Sequence, residues 1–520
     1  MPHGETTTSD FIKNLISVAN EEYNVSQTEN GAVGYRTTGR ALLDLNFAVS
    51  SLRNMSAAEV VRRFSCAFYE DKLLATKWLF FVCDVRGGCG ERRLFRLCMY
   101  ALAGSEPKLA KALLPLIPEY SRWDNLVLLL DTALCDDVVQ IIKTQLDEDI
   151  KNKSKGKQVS LLAKWLPSIN ATSAETRALA KLLITKLGMT AKQYRQALSA
   201  LRKYIDVTEV KMSAGAWKDI AYDKVPSKAN LLYGKAFLRH DEKRRNKYLE
   251  ALKRGETKIN ASTLFPHDIV HKYTDNWQLA PYDETVEQLW KALPDYVQGD
   301  GTTLCVADGS GSMTARVGNT NVTALEIANA LAIYFAERCK GQFKDTFITF
   351  SEKPQIISFA HCKSMHDKLG VVLSHDEVAN TNIEAVFDLI LTTAVKHNMK
   401  QSELPANVLI LSDMEFDMCA VSNKHNFAKP IRDRLFEEIG ARYEANGYKL
   451  PRLIFWNICS RTLTVPLTTN KLGVALVSGF SPAVLDMVLS GDLDPYKCLI
   501  AQINDQRYDA VEKAFNNAQE

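Results

Sequence analysis

Thr302-Thr303-Leu304-Cys305-Val306-Ala307-Asp308-Gly309-Ser310-Gly311-Ser312-Met313 decides how the C-terminal half of this 520-residue chain is read. A short apolar run ends in an aspartate. Two serines follow at alternate positions, with glycines between them, and a helical pattern begins at about Val322. Strand, oxygen-rich loop and helix in that order predict a parallel sheet with the loop at its carboxyl edge, where open α/β sheets place their ligands. Hydroxyl and carboxylate oxygens suit a hard divalent cation, Mg²⁺ or Mn²⁺, and glycine lets the loop turn tightly. The plainer alternative is turn and cap chemistry, which Ser, Thr and Asp perform routinely.

Outward from this stretch, apolar strands alternate with helical patterns. The strand candidates are 303–308, 345–351, 355–360, 407–412, 452–457 and 473–478. The helix candidates are 322–340, 383–397, 427–446 and 482–489. This alternation predicts a doubly wound α/β domain over 300–495, followed by a C-terminal segment, 496–520, with a helix over Gln506–Ala518. Two more oxygen-bearing positions fall at the same edge. Thr381 precedes the 383–397 helix, and Asp413 follows the apolar run Val408-Leu409-Ile410-Leu411-Ser412, where it could hold a water on an ion. The candidate metal ligands are therefore Asp308, Ser310, Ser312, Thr381 and Asp413.

Residues 1–38 are polar, with one short helix expected near Phe11–Asn20. From Arg40 to about Val210 the pattern is helical and nearly unbroken, with apolar residues at three- and four-residue steps such as Val60, Phe64, Ala67 and Phe68. Residues 211–275 change character to aromatics among many Lys and Arg, a further helix is expected at 282–293, and the helical domain is expected over 39–295. Ser56, Ser173 and Thr190 read as helix caps. Helices joined by short turns without a strict repeat predict an irregular, HEAT-like α-solenoid. The fold class expected is thus α plus α/β. The chain shows no run of about 20 apolar residues, so no transmembrane helix is expected, and the N-terminus lacks a secretory pattern. Eleven cysteines without a C-x-x-C pair point to a reducing, cytoplasmic setting.

The formal charge of +3 names no partner, but it divides into about +7 for residues 1–300 and −4 for 301–520. A basic helical half favours an anionic partner. Arg86, Arg92 and Arg93 flank a glycine turn that lacks the ending of a phosphate-binding P-loop, so a tight turn is the simpler reading, with Glu91 near the next helix start. The three arginines are nevertheless candidate RNA-binding residues that could contact phosphate if the turn lines a hole. Lys243, Arg244, Arg245, Lys247, Lys253 and Arg254 lie among aromatics such as Trp217, Tyr222 and Tyr248. Charge runs are commonly solvated faces, yet basic residues interleaved with aromatics also suit RNA. His267 and His271 share a helical face, but no third zinc ligand is evident. A helix starting at Pro266 with polar surface histidines is expected instead.

Residues 303–490 resemble a von Willebrand factor A domain, with Asp308, Ser310, Ser312, Thr381 and Asp413 matching its metal-ion-dependent adhesion site. The resemblance implies a binding site completed by an acidic partner, not a catalytic one. The segments Thr38-Gly39 to Asp44-Leu45, Cys83 to Arg92 and Tyr222 to Ala261 resemble a family known only as a domain of unknown function. Its architecture is similar to that of the TROVE-module proteins typified by the Ro autoantigen, where helical repeats form a ring closed by an A domain and bind RNA. The resemblance implies a non-catalytic ribonucleoprotein ring or scaffold, with RNA and an acidic protein as partners and neither membrane nor small-molecule substrate. The alternative is a metal-dependent protein–protein adaptor without nucleic acid. No Ser-His-Asp, Cys-His or paired-carboxylate arrangement names an enzyme.

Overall fold

The computed structural model describes residues 23–520 apart from 276–277, 298–301, 351–352, 376–380, 418–434, 467–473 and 482–493; in the first 22 residues it describes isolated positions only. The helices expected near Phe11–Asn20 and at 482–489, and the start of the one expected at 427–446, lie outside the described residues.

A short antiparallel hairpin comes first, β1 (Val25–Gln27) and β2 (Val33–Tyr35). Helices then follow one another from Ala41 to Lys291, interrupted by a two-stranded ladder, β3 (Thr274–Asp275) and β4 (Gln278–Leu279). Their ends are chemically marked. Ser56, Ser173 and Thr190 each accept a backbone N–H of the first turn, and Thr190 with Gln193 forms a reciprocal capping box. In the first part of the half each helix packs against the next. Ala57–Glu70 packs on Lys72–Cys83, which packs on Arg92–Ser105, which packs on Pro107–Leu113. The core is continuous with that of the sheet domain, except for a small separate cluster of Ile220, Tyr222, Val225, Ala229 and Phe237.

The α/β half contains β5 (Thr303–Asp308), β6 (Thr346–Phe350), β7 (Gln355–Ser358), β8 (Asn407–Ser412), β9 (Arg452–Asn457) and β10 (Val474–Ser478). They form one sheet in the order β10-β9-β8-β5-β6-β7, parallel throughout except for the antiparallel edge pair β6–β7. Every residue of β5 and β8 is buried, as expected of central strands covered on both faces. The order reverses between β5 and β8, so the crevice lies beyond their carboxyl ends. Those ends are Asp308 and Ser412, the latter followed directly by Asp413.

The two halves are interleaved. The C-terminal helix Asp509–Gln519 leaves the α/β half and packs on Pro107–Leu113 and Lys72–Cys83 of the helical half. Arg507 pairs with the buried Asp84, whose carboxylate also accepts from Tyr508. Helix Pro266–Tyr273 packs on Ala324–Arg338. Near Phe480 the early and late helical segments meet: the Arg53 guanidinium lies 4.1 Å from its ring centroid and His267 stacks edge-on at 5.4 Å. The Phe265 ring covers Gly90, where an added Cβ would sit 2.8 Å from Cζ. The chain thus leaves this junction after Glu91 and returns to it at Phe265.

The described cysteines are free thiols. Among the described residues no helix is long and apolar enough to cross a membrane.

Candidate metal centre

The three oxygen-bearing loops expected from sequence converge at the switch point. Asp308 ends β5, and its Oδ1 accepts the Ser310 backbone N–H at 2.9 Å. The Ser310 and Ser312 hydroxyls stand 3.1 Å apart. Asp413 follows β8, is hydrogen-bonded by Ser312, and accepts the Glu415 N–H at 3.2 Å. Thr381 lies two residues before the helix Ile383–Lys396, and its backbone carbonyl accepts the Asp417 N–H at 3.1 Å. Asp308, Ser310, Thr381 and Asp413 are at most 2% exposed, and Ser312 is half-buried.

The electrostatics of this cluster are unbalanced. Burial pushes the Asp308 carboxyl above the usual range despite hydrogen bonds from Ser310 and Ser412. Burial also raises Asp413, and the neighbouring charge of Asp308 raises it further. The Arg461 guanidinium stands 3.6 Å from Asp413 Oδ2. Two desolvated carboxylates beside the Ser310 and Ser312 hydroxyls, with Thr381 tied to the loop after β8, are a donor set that fits a hard divalent cation, whose charge would offset their repulsion. Among the described residues no group of three or more His, Cys, Asp or Glu side chains could hold a metal, so a cation here rests on hydroxyls and carboxylates together.

Four participants carry no sequence signal that singles them out. Ser412 donates to Asp308 Oδ2 at 2.6 Å while accepting the Met414 N–H at 2.9 Å. Met414 is buried with φ of 64°, a left-handed conformation that is strained for a non-glycine residue and that turns the chain sharply between Asp413 and Glu415. Glu415, wholly buried, accepts from Ser460 Oγ, the Arg461 and Thr462 backbone N–H groups, the Thr462 hydroxyl and the Glu29 N–H. Asn30 donates to Thr381 Oγ1 at 3.2 Å and to the Glu415 carbonyl at 2.6 Å. Asn30 and Thr381 are 351 residues apart, so only folding reveals this pair.

The candidate RNA-binding residues are scattered, and most are engaged. Arg93 braces the Leu52 and Met55 carbonyls at 2.8 Å each. Arg244 donates to the Lys218 and Ile220 carbonyls and pairs with Asp241, where the helix Ser227–Lys253 kinks. Lys253 pairs with Glu284 and Glu250, and Arg254 with Glu256. Arg245 is fully buried, with its guanidinium about equally close to the Tyr222, Phe237 and Tyr248 rings. It lies out of reach of a phosphate on the surface, because the aromatics interleaved with this stretch form an internal core around it. Arg86, Lys243 and Lys247 are exposed.

Arg92 belongs to a different group. Arg92, Arg96 and Arg122 converge on the single carboxylate of Asp124, with Arg92 at 3.7 Å and Arg96 at 3.1 Å from Oδ2, and Arg122 paired to both oxygens. Burial, then repulsion from Arg122 and Arg96, lowers the Arg92 pKa. Arg122 also lies 3.9 Å over the Trp165 ring, beside a cleft of about 580 Å³ lined by Trp123, Trp165, Leu161, Gln140 and Gln145.

The histidines differ from the expected surface pair. His267 is buried between Phe265 and Phe480, and desolvation lowers its pKa to about 4. His271 bonds Glu326 through Nδ1 at 3.0 Å. The glycine turn is the tight turn expected, but Glu91 reaches Arg53 and not its own helix.

Residues 131–302 match the family described as Domain of unknown function (DUF2828), and residues 302–518 match Domain of unknown function (DUF7788). The two matches meet at the start of β5. The chain is 28% identical to the uncharacterized protein L728 of Acanthamoeba polyphaga mimivirus over 510 residues, covering 90% of this chain and 85% of that one. Among solved structures, the Deinococcus radiodurans Ro (RSR) protein aligns over 94% of both chains with 14% identity and a TM-score of 0.37.

Proposed function

We propose that the protein is a non-catalytic RNA-binding scaffold. Its helical half is a solenoid bent into a ring that the α/β half closes, and the α/β half carries an A-type metal site. Support for closure comes from the junction at Phe480, where Arg53, Phe265 and His267 bring the two ends of the helical path together. The observation that carries the RNA reading is the Arg92, Arg96 and Arg122 cluster. Three guanidiniums share one carboxylate, which leaves positive charge to spare, and one of them stacks on an indole beside a cleft wide enough for a base. Phosphate attracts the charge, and an unpaired base can stack on Trp165 or its neighbours.

Asp308, Ser310, Ser312, Thr381 and Asp413 would hold Mg²⁺ or Mn²⁺. The bound ion would supply a coordination position that favours a carboxylate from a protein partner. A second reading, a metal-dependent adaptor without nucleic acid, is favoured by this site alone.

Anisotropy of a fluorescein-labelled oligouridylate across a salt series tests the proposal. Affinity should fall linearly with salt on a logarithmic plot. Replacing Arg96 and Arg122 by Gln together should flatten the slope by about 1.4, the value for two phosphate contacts on a single strand. Salt-insensitive or absent binding by the wild type overturns the RNA reading. Capture of a protein partner that EDTA abolishes, with no RNA bound, establishes the adaptor.

A further inference from the structure

The chain's own N-terminal hairpin lies against one side of the candidate metal site, at Thr381 and the loop after β8. The turn between β1 and β2, Thr28 to Gly31, lies across the loop that follows β8. Thr28 Oγ1 donates to the Phe416 carbonyl at 2.6 Å, and Gly31 forms an antiparallel bridge with Asp417. Asn30 places its carboxamide on the hydroxyl of Thr381. Glu29 donates its backbone N–H to Glu415 Oε2 at 2.8 Å and pairs through its carboxylate with Arg461 Nη2 at 2.6 Å. That same nitrogen faces Asp413. Farther along, Tyr35 and Val465 exchange both backbone hydrogen bonds at 2.8 Å, which pins the hairpin beside the site.

Two features separate this contact from ordinary packing. It is polar and directed at site residues: Asn30 touches a candidate ligand, Thr381, and Glu29 before it shares a guanidinium with another, Asp413. It is also lightly anchored at its tip, since Glu29 and Asn30 are exposed. A turn held by a few hydrogen bonds at an exposed tip opens at lower free energy than the core beneath it.

We propose that the Thr28–Gly31 turn is a built-in occupant of the metal site, which an outside carboxylate must displace. The proposal rests on the reading of Asp308, Ser310, Ser312, Thr381 and Asp413 as cation ligands. Asn30 occupies the Thr381 hydroxyl. Arg461 latches the Glu29 carboxylate beside Asp413, where an incoming acidic side chain would have to arrive. Closing the site with the chain's own N-terminal hairpin couples partner capture to release of that hairpin.

The test uses the full chain with Mn²⁺ and a fluorescein-labelled tetra-aspartate peptide. Mn²⁺ uptake is measured first, with Asp308→Ala as the control. Peptide affinity is then compared between wild type, Glu29→Gln, Asn30→Ala and the double variant. Apparent affinity scales with the fraction of molecules whose site is open, so removing a turn seated ~90% of the time tightens binding about tenfold. The double variant should show this gain in Mn²⁺ and lose it in EDTA, and the peptide should speed amide exchange at Glu29, Ala32 and Tyr35 in the wild type. Both substituted side chains are exposed, and a thermal melt confirms that the variants fold. Absence of specific Mn²⁺ uptake sinks the metal site and the proposal with it. Uptake with equal, absent or weaker peptide binding in the double variant overturns the proposal alone, and weaker binding makes the turn part of the site's wall.

Discussion

Asp308→Asn separates a metal site from a hydrogen-bonded polar cluster by the sign of its effect on stability. The side chain is wholly buried and shares its surroundings with Asp413, also buried. Asn keeps the oxygen that accepts the Ser310 N–H, and its amide can donate to Ser412 Oγ once that hydroxyl turns. The substitution therefore removes one buried negative charge without opening a cavity. In EDTA the variant should melt at or above the wild-type temperature, because one of two repelling desolvated charges is gone. Divalent cation reverses the order. A ligand present at one hundred times its dissociation constant stabilises by about 2.7 kcal/mol. At roughly 2–4 °C per kcal/mol for a unit the size of the α/β half, the wild type should gain ~5–10 °C in saturating Mg²⁺ or Mn²⁺. The variant should gain little. Scanning calorimetry of both proteins in EDTA and in each metal reads the crossing directly. A wild type that ignores the metals, or an Asn variant that responds as strongly, refutes the assignment of Asp308.

Other residues give tests that do not depend on metal. Burial lowers the His267 pKa from 6.5 to about 4, so the unfolded chain binds more protons between those values. The stability His267 contributes is complete above pH 6.5 and is lost as pH falls towards 4, a change of ~3 kcal/mol. Asp268, Arg53, Lys228 and Glu326 set the local field, and His271, raised by Glu326, contributes with the opposite sign. Chemical denaturation against pH for wild type and His267→Gln should show this limb only in the wild type. Gly88→Ala should cost about 3 kcal/mol or more, because its Cβ would lie 1.9 Å from the Phe81 carbonyl oxygen, a backbone atom that cannot rotate away. A midpoint within error of wild type would show that the Arg86–Gly90 turn yields easily. Arg245→Met should leave stability unchanged or raise it by ~1–4 kcal/mol, since the buried guanidinium meets only neutral side chains, Asn230 and Thr285, at 3.2 Å. Arg245→Ala should lose ~2–5 kcal/mol through the cavity left among Tyr222, Phe237 and Tyr248.

Much of the α/β half was legible in the sequence. The expected strands 303–308, 407–412 and 452–457 coincide with β5, β8 and β9. β6 begins one residue after the expected 345, and β7 ends two before the expected 360, while residues 351 and 473 of the expected strands lie outside the described residues. Short apolar runs of about six residues, rich in Val, Ile and Leu and bounded by polar turns, suit central parallel strands buried on both faces. The helix expected at 322–340 runs over Ala324–Arg338, where Thr323 and Glu326 form the cap. The C-terminal helix begins at Asp509, after a single 3₁₀ turn, and the helix Pro495–Ile503 before it was not anticipated. In the helical half the caps were readable because each is a local event, a side-chain oxygen meeting a backbone N–H three residues on. Within the basic 240–254 stretch, Arg245 departs from the expected exposed cation for a physical reason. Composition counts charges and aromatics but does not say which way they face, and here Arg245 turns inward among the rings.

The sequence by itself determined the strand order's raw material, the helix ends and the oxygen-bearing loops after β5 and β8, because all of these depend on near neighbours and on period. The tertiary structure alone decided which distant groups meet. It set Asn30 on Thr381, gathered Arg92, Arg96 and Arg122 around Asp124, and buried His267 against Phe480. Such pairs are chosen by the packing of whole elements, and no local propensity encodes them. The loop that carries Asp308 is legible from its own residues, whereas the turn that bonds Thr381 comes from the other end of the chain.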